Sequence, residues 1–204
     1  MPPAGVPGLG DLAAAAGALK RVRRQGWVDR GVADAESVAD HSYRVALLAW
    51  ALARTRGLDA GRAMLIGLVH DLAEAEVGDE TPYDALLRAG QPFDRALFDR
   101  LPPDDPGRRA AKQARERAAI ERLAAALPFG LADELVGAWS DYADGQSPES
   151  RLVKELDRIE TLRQAEEYAA DQPDLPIGSF RRQVAAMALP EDLAALVGEQ
   201  GRGA

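Results

Sequence analysis

The sequence predicts an all-α fold, and three observations carry that expectation. Ala, Leu, Glu and Arg dominate the middle of the chain, and these residues lose little on entering a helix. Apolar residues recur at three- and four-residue intervals over several long stretches. No sustained apolar–polar alternation and no β-branched run occurs, so no strand is expected.

Taken in order, residues 1–10 are rich in Pro and Gly and are expected as a flexible tail. An Ala-rich helix is expected over 11–25, ending in the basic cluster Lys20, Arg21, Arg23 and Arg24, with a loop carrying Gly26, Trp27, Arg30 and Gly31 after it. Ser37-Val-Ala-Asp40 reads as a capping-box start in which Asp40 takes the usual Glu position. The helix it opens runs to about Arg56, with an apolar stripe of Val45, Leu48 and Leu52 that extends back to His41. A second strong helix covers 61–77, with Met64, Leu65, Leu68, Val69 and Leu72 as its apolar residues and Gly78 as its stop. Five prolines make 81–107 irregular, with short helices near 85–88 and 95–101. Long helices resume at 108–127, 131–142 and 148–170, and a final pair occupies 179–187 and 191–199. Residues 200–204 form a second flexible tail, and no internal repeat is visible. At 204 residues, the stretch 11–199 is expected as a single domain.

The net charge of −8 argues against binding a nucleic acid polymer, because neutralising phosphates needs a surplus of Lys and Arg. A small anion needs only a local cationic pocket and stays open. The absence of cysteine removes disulfides, thiolate metal sites and a cysteine nucleophile. The longest apolar runs fall short of bilayer length, and the first residues lack the pattern of a secretory signal. No membrane association and residence in the cytoplasm are therefore expected.

Only two histidines occur, and each sits beside an acid in an apolar helix. A lone histidine on such a face is most often a satisfied core residue, yet imidazole is also the commonest metal ligand. The local grouping favours the ligand role. In Val69-His-Asp-Leu-Ala-Glu74, Glu74 lies one helical turn beyond both His70 and Asp71, so the three side chains can converge. Burying two imidazoles and two carboxylates would be costly without a cation to satisfy them. A further acid, Asp157, shares a face with Val153 between Leu156 and Ile159, which puts it near the buried side of its helix.

The series His41, then His70-Asp71, then a distant Asp157 resembles the HD-domain metal-dependent phosphohydrolases. Longer runs narrow the resemblance to their 5'-deoxynucleotidase branch: Glu36-Ser-Val-Ala-Asp-His41-Ser-Tyr-Arg44, the run from Val69 to Glu74, Gly78-Asp79 followed by Pro82, and Lys154-Glu-Leu-Asp157. Leu19-Lys-Arg-Val-Arg-Arg24 and Gly26-Trp27-Val28 fit it as well. The resemblance implies a compact multi-helix HD-domain bundle. It makes His41, His70, Asp71 and Asp157 ligands of a divalent metal, and mixed nitrogen and oxygen donors suit Mn²⁺ or Co²⁺, or Mg²⁺. The implied reaction is hydrolysis of deoxynucleoside 5'-monophosphates, with Glu74 orienting or deprotonating the attacking water. Asp79 is implied at the sugar or the leaving 5'-oxygen, Arg24 at the phosphate, and Trp27 and Thr81 on the substrate as well. A small-molecule nucleotide partner and a homodimer complete the implication, with the apolar C-terminal helices as a candidate interface.

Each role has a plainer counterpart. Glu74 would otherwise make a hydrogen bond behind the ligands or sit on the surface. Arg24 would be a solvated basic helix end, Trp27 a buried aromatic anchor, and Arg30 the partner of a neighbouring acid rather than of substrate. The chain also departs from the family's pattern at Glu80, where a hydrophobic residue is common, and at Gly31, where many members carry Asn. The stretch 84–107 is longer than usual. The competing functions are hydrolysis of another nucleotide phosphoester and a non-catalytic helical domain stabilised by metal.

Overall fold

The computed structural model describes residues 6–88, 95–102 and 104–197. Among these residues no strand forms, and the fold is all-α. The parts of the expected tails at 1–5 and 198–204 lie outside the described residues. The chain divides into two compact units, each assembled from segments far apart in sequence.

Among the described residues, the first unit comprises 6–24, 36–79 and 105–154. Its helices are α1 (Leu9–Leu19), α3 (Val38–Arg56), α4 (Ala60–Val69), α5 (Glu74–Val77), α7 (Pro106–Ala125) and α8 (Phe129–Asp144), with the start of α9 (Pro148–Asp171). The capping box forms as expected: Ser37 Oγ accepts from Asp40 N, and Ser37 N donates to Asp40 Oδ2 at 2.9 Å. α4 starts on Asp59, whose side chain accepts from Arg62 N at 2.9 Å. α7 starts on Asp105 with Pro106 in its first turn, where the missing N–H costs nothing.

Helix α3 packs on α4, α4 on α8, and α8 on α7, while α5 packs on both α1 and α7. The α3–α4 seam is closer than the leucine stripe predicted. Its buried residues on α3 are Val45, Ala46, Ala49 and Ala53, whereas Leu48 and Leu52 are half-buried. A Cβ at Gly67 would lie 2.7 Å from Ala46 Cα, so only small residues let these two backbones meet. Val69 and Leu72 are buried as expected, but Met64 and Leu68 are exposed, and Ala63, Ile66 and Gly67 are buried in their place.

Three further boundaries differ from expectation. α1 begins at Leu9, within the predicted tail, and stops at Leu19 instead of reaching Gln25. Residues 22–24 leave it as an extended segment: Val38 N donates to Val22 O at 2.9 Å, Arg24 N donates to Glu36 O at 3.0 Å, and Arg23 and Ser37 form an isolated antiparallel bridge. The expected single helix over 61–77 is interrupted by tight turns at His70–Ala73, in which Leu72 N donates to Val69 O and Glu74 N to Asp71 O. α5 then ends where expected, with Gly78 N donating to Glu74 O.

Among the described residues, the second unit comprises 25–35, 80–88, 95–102, 104 and 155–197. The predicted loop around Trp27 contains a short helix, α2 (Gln25–Asp29). The irregular stretch holds α6 (Asp84–Arg88) and a 3₁₀ turn (Arg95–Asp99), as expected. The rest of α9 follows, then α10 (Gly178–Ala185) and α11 (Glu191–Ala194). Trp27 is 1% exposed and joins Val32, Ala35, Ala165, Leu175 and Ile177 in the core, edge-on to Tyr168 with centroids 5.4 Å apart. Arg30 is buried beside them. Its guanidinium stacks between Phe180 and Phe98 and donates to Pro176 O, Gly26 O and Ser179 Oγ. Burial pushes its pKa down to about 10, against the pull of Tyr83 and Asp29. Two carbonyls, a hydroxyl and aromatic rings meet the guanidinium directly, while the neighbouring acid Asp29 acts on it through its charge. Gly31 follows with φ +82°, a conformation that glycine and asparagine tolerate best, so the two residue types exchanged there share one backbone requirement. No helix among the described residues is long and apolar enough to cross a membrane.

Candidate metal centre

The centre is built where α3 and α4 pack. α3 supplies His41 in its first turn, fixed by the capping box, and α4 delivers His70 at its C-terminal cap, with Asp71 next in the turn. His41 is 0% exposed and His70 is 4% exposed. His70 Nδ1 lies 2.8 Å from Gly67 O, a contact that is favourable when Nδ1 carries the proton and donates. That assignment leaves a bare lone pair on His70 Nε2. This atom is 3.3 Å from His41 Nε2 and 3.2 Å from Asp71 Oδ2. One donor atom from each residue can be chosen so that all three lie within 4.8 Å of one another. Two ring nitrogens and a carboxylate oxygen converging in a buried spot need a cation or a proton between them. The three donors are able to hold a divalent metal of the kind that takes nitrogen and oxygen ligands together.

Charge around the cluster is balanced by Arg24, whose Nη1 lies 3.1 Å from Asp71 Oδ2. Because α1 ends five residues earlier, Arg24 is not a solvated helix terminus; its side chain is 16% exposed. Burial works to raise the Asp71 pKa. The His70 ring, Arg24 and His41 outweigh it and hold the carboxyl well below the usual carboxylate range.

Residues 16–189 match the family model described as HD domain. The chain belongs to the HD-domain family. A relative in Danio rerio, 5'-deoxynucleotidase HDDC2, is 38% identical over 152 residues, or 74% of this chain and 65% of the relative. The HD-domain chain thus spans somewhat less than two thirds of that relative's length. Among solved structures, a conserved hypothetical protein of Pyrococcus furiosus is 26% identical, with a TM-score of 0.64 covering 94% of this chain and 98% of that one. A predicted metal-dependent phosphohydrolase of Magnetospirillum magnetotacticum MS-1 shares the fold with a TM-score of 0.63 at 22% identity, covering 92% of this chain and 86% of that one.

Around the HD-domain histidines the first unit gathers further charge. Glu74, at the start of α5, is 2% exposed. Its Oε1 lies 3.4 Å from Lys112 Nζ on α7, and its Oε2 is buried with no hydrogen-bond partner among the described residues. Burial, and then the carboxylates of Asp71 and Asp79, push its pKa well above the ordinary glutamate value. Asp79 is half-buried just beyond α5. The remaining predicted residues belong to the second unit. Trp27 lies in that unit's core, and Thr81 Oγ1 donates to Asp84 Oδ1 at 2.6 Å and lies 3.3 Å from Asp29 Oδ2. Asp157 is half-buried on α9, with its carbonyl accepting from Thr161 Oγ1. Sequence reasoning missed Lys112 and its helical neighbour Glu116, 3.3 Å away. No pattern in the basic residues of α7 distinguishes Lys112 from the others.

Proposed function

We propose that the chain is a metal-dependent phosphomonoesterase that converts deoxynucleoside 5'-monophosphates to deoxynucleosides and phosphate. The observation that carries this reading is the buried convergence of His41 Nε2, His70 Nε2 and the Asp71 carboxylate. The names of relatives such as 5'-deoxynucleotidase HDDC2 supply the reaction class. In this reading Asp157 joins the three donors as a fourth ligand. A divalent cation bound there, Mn²⁺, Co²⁺ or Mg²⁺, supplies Lewis-acid polarisation of the phosphate and makes a water acidic enough to attack near neutral pH.

The chain's own groups do the rest. Glu74 offers the unpartnered Oε2 to orient the attacking water and take its proton. Arg24, paired with Asp71, brings its planar guanidinium to the phosphate. The water oxygen bonds to phosphorus as the bond to the 5'-oxygen breaks, and a proton ends on that oxygen. Asp79 attends the sugar or the leaving oxygen and Thr81 serves the nucleoside end. Trp27, 1% exposed within a core, is better read as the buried aromatic anchor than as a substrate contact. A homodimer belongs to the same proposal, supported by the exposed apolar residues Tyr43, Leu47 and Trp50 on α3 with Met64 and Leu68 on α4.

The test is a panel of nucleotides incubated with Mn²⁺, Co²⁺ or Mg²⁺ and scored for released phosphate. Release from 2'-deoxynucleoside 5'-monophosphates ahead of ribonucleotides and 3'-monophosphates is expected. No release from any 5'-monophosphate while metal is demonstrably bound would overturn the reading.

A further inference from the structure

Glu74 is an unusual carboxylate for its position. It is buried, lies within electrostatic reach of two other acids, and has one oxygen with no partner among the described residues. A buried carboxylate with an oxygen unpartnered among the described residues keeps one rotamer only if another contact fixes it. That contact comes from far along the chain. Lys112, on α7, reaches Glu74 Oε1 across a separation of 38 residues. Its ammonium is held from the other side by Glu116 Oε1, one helical turn along α7, at 3.3 Å. Burial works against the Lys112 charge, but Glu74, Glu116, Asp71 and Asp79 more than offset it and hold the ammonium on.

We propose that Lys112 is a positioning residue for Glu74: clamped by Glu116, its ammonium holds Oε1 and leaves Oε2 as the acceptor free to serve the reaction. The inference rests on the phosphomonoesterase reading for what Oε2 does, and on the contacts alone for what Lys112 does. Lys112 acts through its contact with Glu74 Oε1. It sets the rotamer of the group that acts, as a hydrogen-bond partner behind a reacting group does elsewhere. The pairing of α5 with α7 gives this clamp a rigid base. A second ion pair, between Arg122 on α7 and Glu76 on α5, ties the same two helices together.

The experiment compares Lys112→Met and Lys112→Arg with wild type by three readouts: steady-state kinetics on a 2'-deoxynucleoside 5'-monophosphate, metal per chain, and the crystal structure of each holo variant. Lys112→Met is expected to lower kcat roughly 10- to 100-fold, with KM and metal content little changed, because the lost interaction acts on the chemical step. Lys112→Arg, which keeps the charge and a donor, is expected to recover most of that loss. In a Glu74→Gln background, Lys112→Met should add little, since the two side chains act as one unit. In the Lys112→Met crystal the Glu74 carboxylate should leave the position it holds in wild type.

If kcat is unchanged in Lys112→Met, or if Glu74 keeps its rotamer there, the proposal is overturned. A loss of metal in step with activity that Lys112→Arg does not rescue would also overturn it, by making Lys112 a purely structural support of the ligands. Failure of the wild type to hydrolyse any 5'-monophosphate, with Glu74 still displaced in the variant crystal, would remove the reaction and leave the positioning intact. Should Lys112→Met not fold, Lys112→Gln carries the same three comparisons.

Discussion

At the scale of single residues, the decisive contact is the one from His70 Nδ1 to the Gly67 carbonyl, because it selects the tautomer that leaves Nε2 open toward His41 and Asp71. Removing a donor from this convergence should be felt as lost metal. His70→Ala and Asp71→Ala are each expected to retain less than roughly a tenth of the wild-type metal after desalting, since even groups behind the ligands change affinity 10- to 100-fold. Asp157→Ala should lower occupancy too; unchanged metal in that variant would mean that another acid is the distal ligand. Glu74 separates from this set by its partners. Glu74→Ala is expected to keep the metal and to lose about 10²- to 10⁴-fold in kcat, the range of general-base contributions. Metal and activity falling together would make Glu74 a ligand.

At the scale of elements, the α3–α4 seam decides where the two histidines meet. In an ordinary exposed helix a glycine-to-alanine change adds roughly 1 kcal/mol of stability. At Gly67 the sign is reversed, because the added methyl would lie 2.7 Å from Ala46 Cα. Gly67→Ala is expected to destabilise by about 1–3 kcal/mol in urea unfolding, and a gain in stability would show that the two helices part freely. The other end of α3 depends on its capping box. Hydrogen bonds from Ser37, first from its hydroxyl and then from its backbone N–H, hold the Asp40 pKa below its ordinary value of 3.8. A carboxyl depressed in the folded state stabilises the fold above its unfolded pKa, and that contribution is lost as pH falls through the folded value. Asp40→Asn should therefore be less stable than wild type near neutral pH, with the gap closing below about pH 4. A gap that stays constant from pH 7 to pH 3 would contradict the role of the charge.

For the whole molecule, a metal held at this centre would link binding to folding, because the unfolded chain cannot bring His41 and His70 together. A ligand present at about 100 times its Kd stabilises the native state by about 2.7 kcal/mol. For a chain of this size that corresponds to a fall of roughly 5–10 °C in Tm on chelation. His70→Ala should show no such fall, and a chelator effect of equal size in both proteins would separate stability from this site.

What the sequence determined by itself is whatever depends on neighbours within a turn or two. The all-α class, the capping box at Ser37 and Asp40, the stop at Gly78 and the pairing of His70 with Asp71 are all local, and all were legible. The bringing together of His41 and the His70-Asp71 pair was also legible, because scarce histidines beside acids in apolar helices are expensive unless they share a purpose. What only the tertiary structure decided depends on contacts between segments distant in the chain. The buried line of α3 runs through alanines because Gly67 draws another backbone close, and no periodicity in α3 alone reveals that. Arg24 left its predicted helix because Val22 and Arg24 bond to the residues before and after Ser37, and that extended course sets its guanidinium on Asp71. Lys112 was one basic residue among several until the packing of α5 on α7 placed it against a buried acid. Helical phase is local, whereas the identity of a buried charge's partner is settled only when the chain closes on itself.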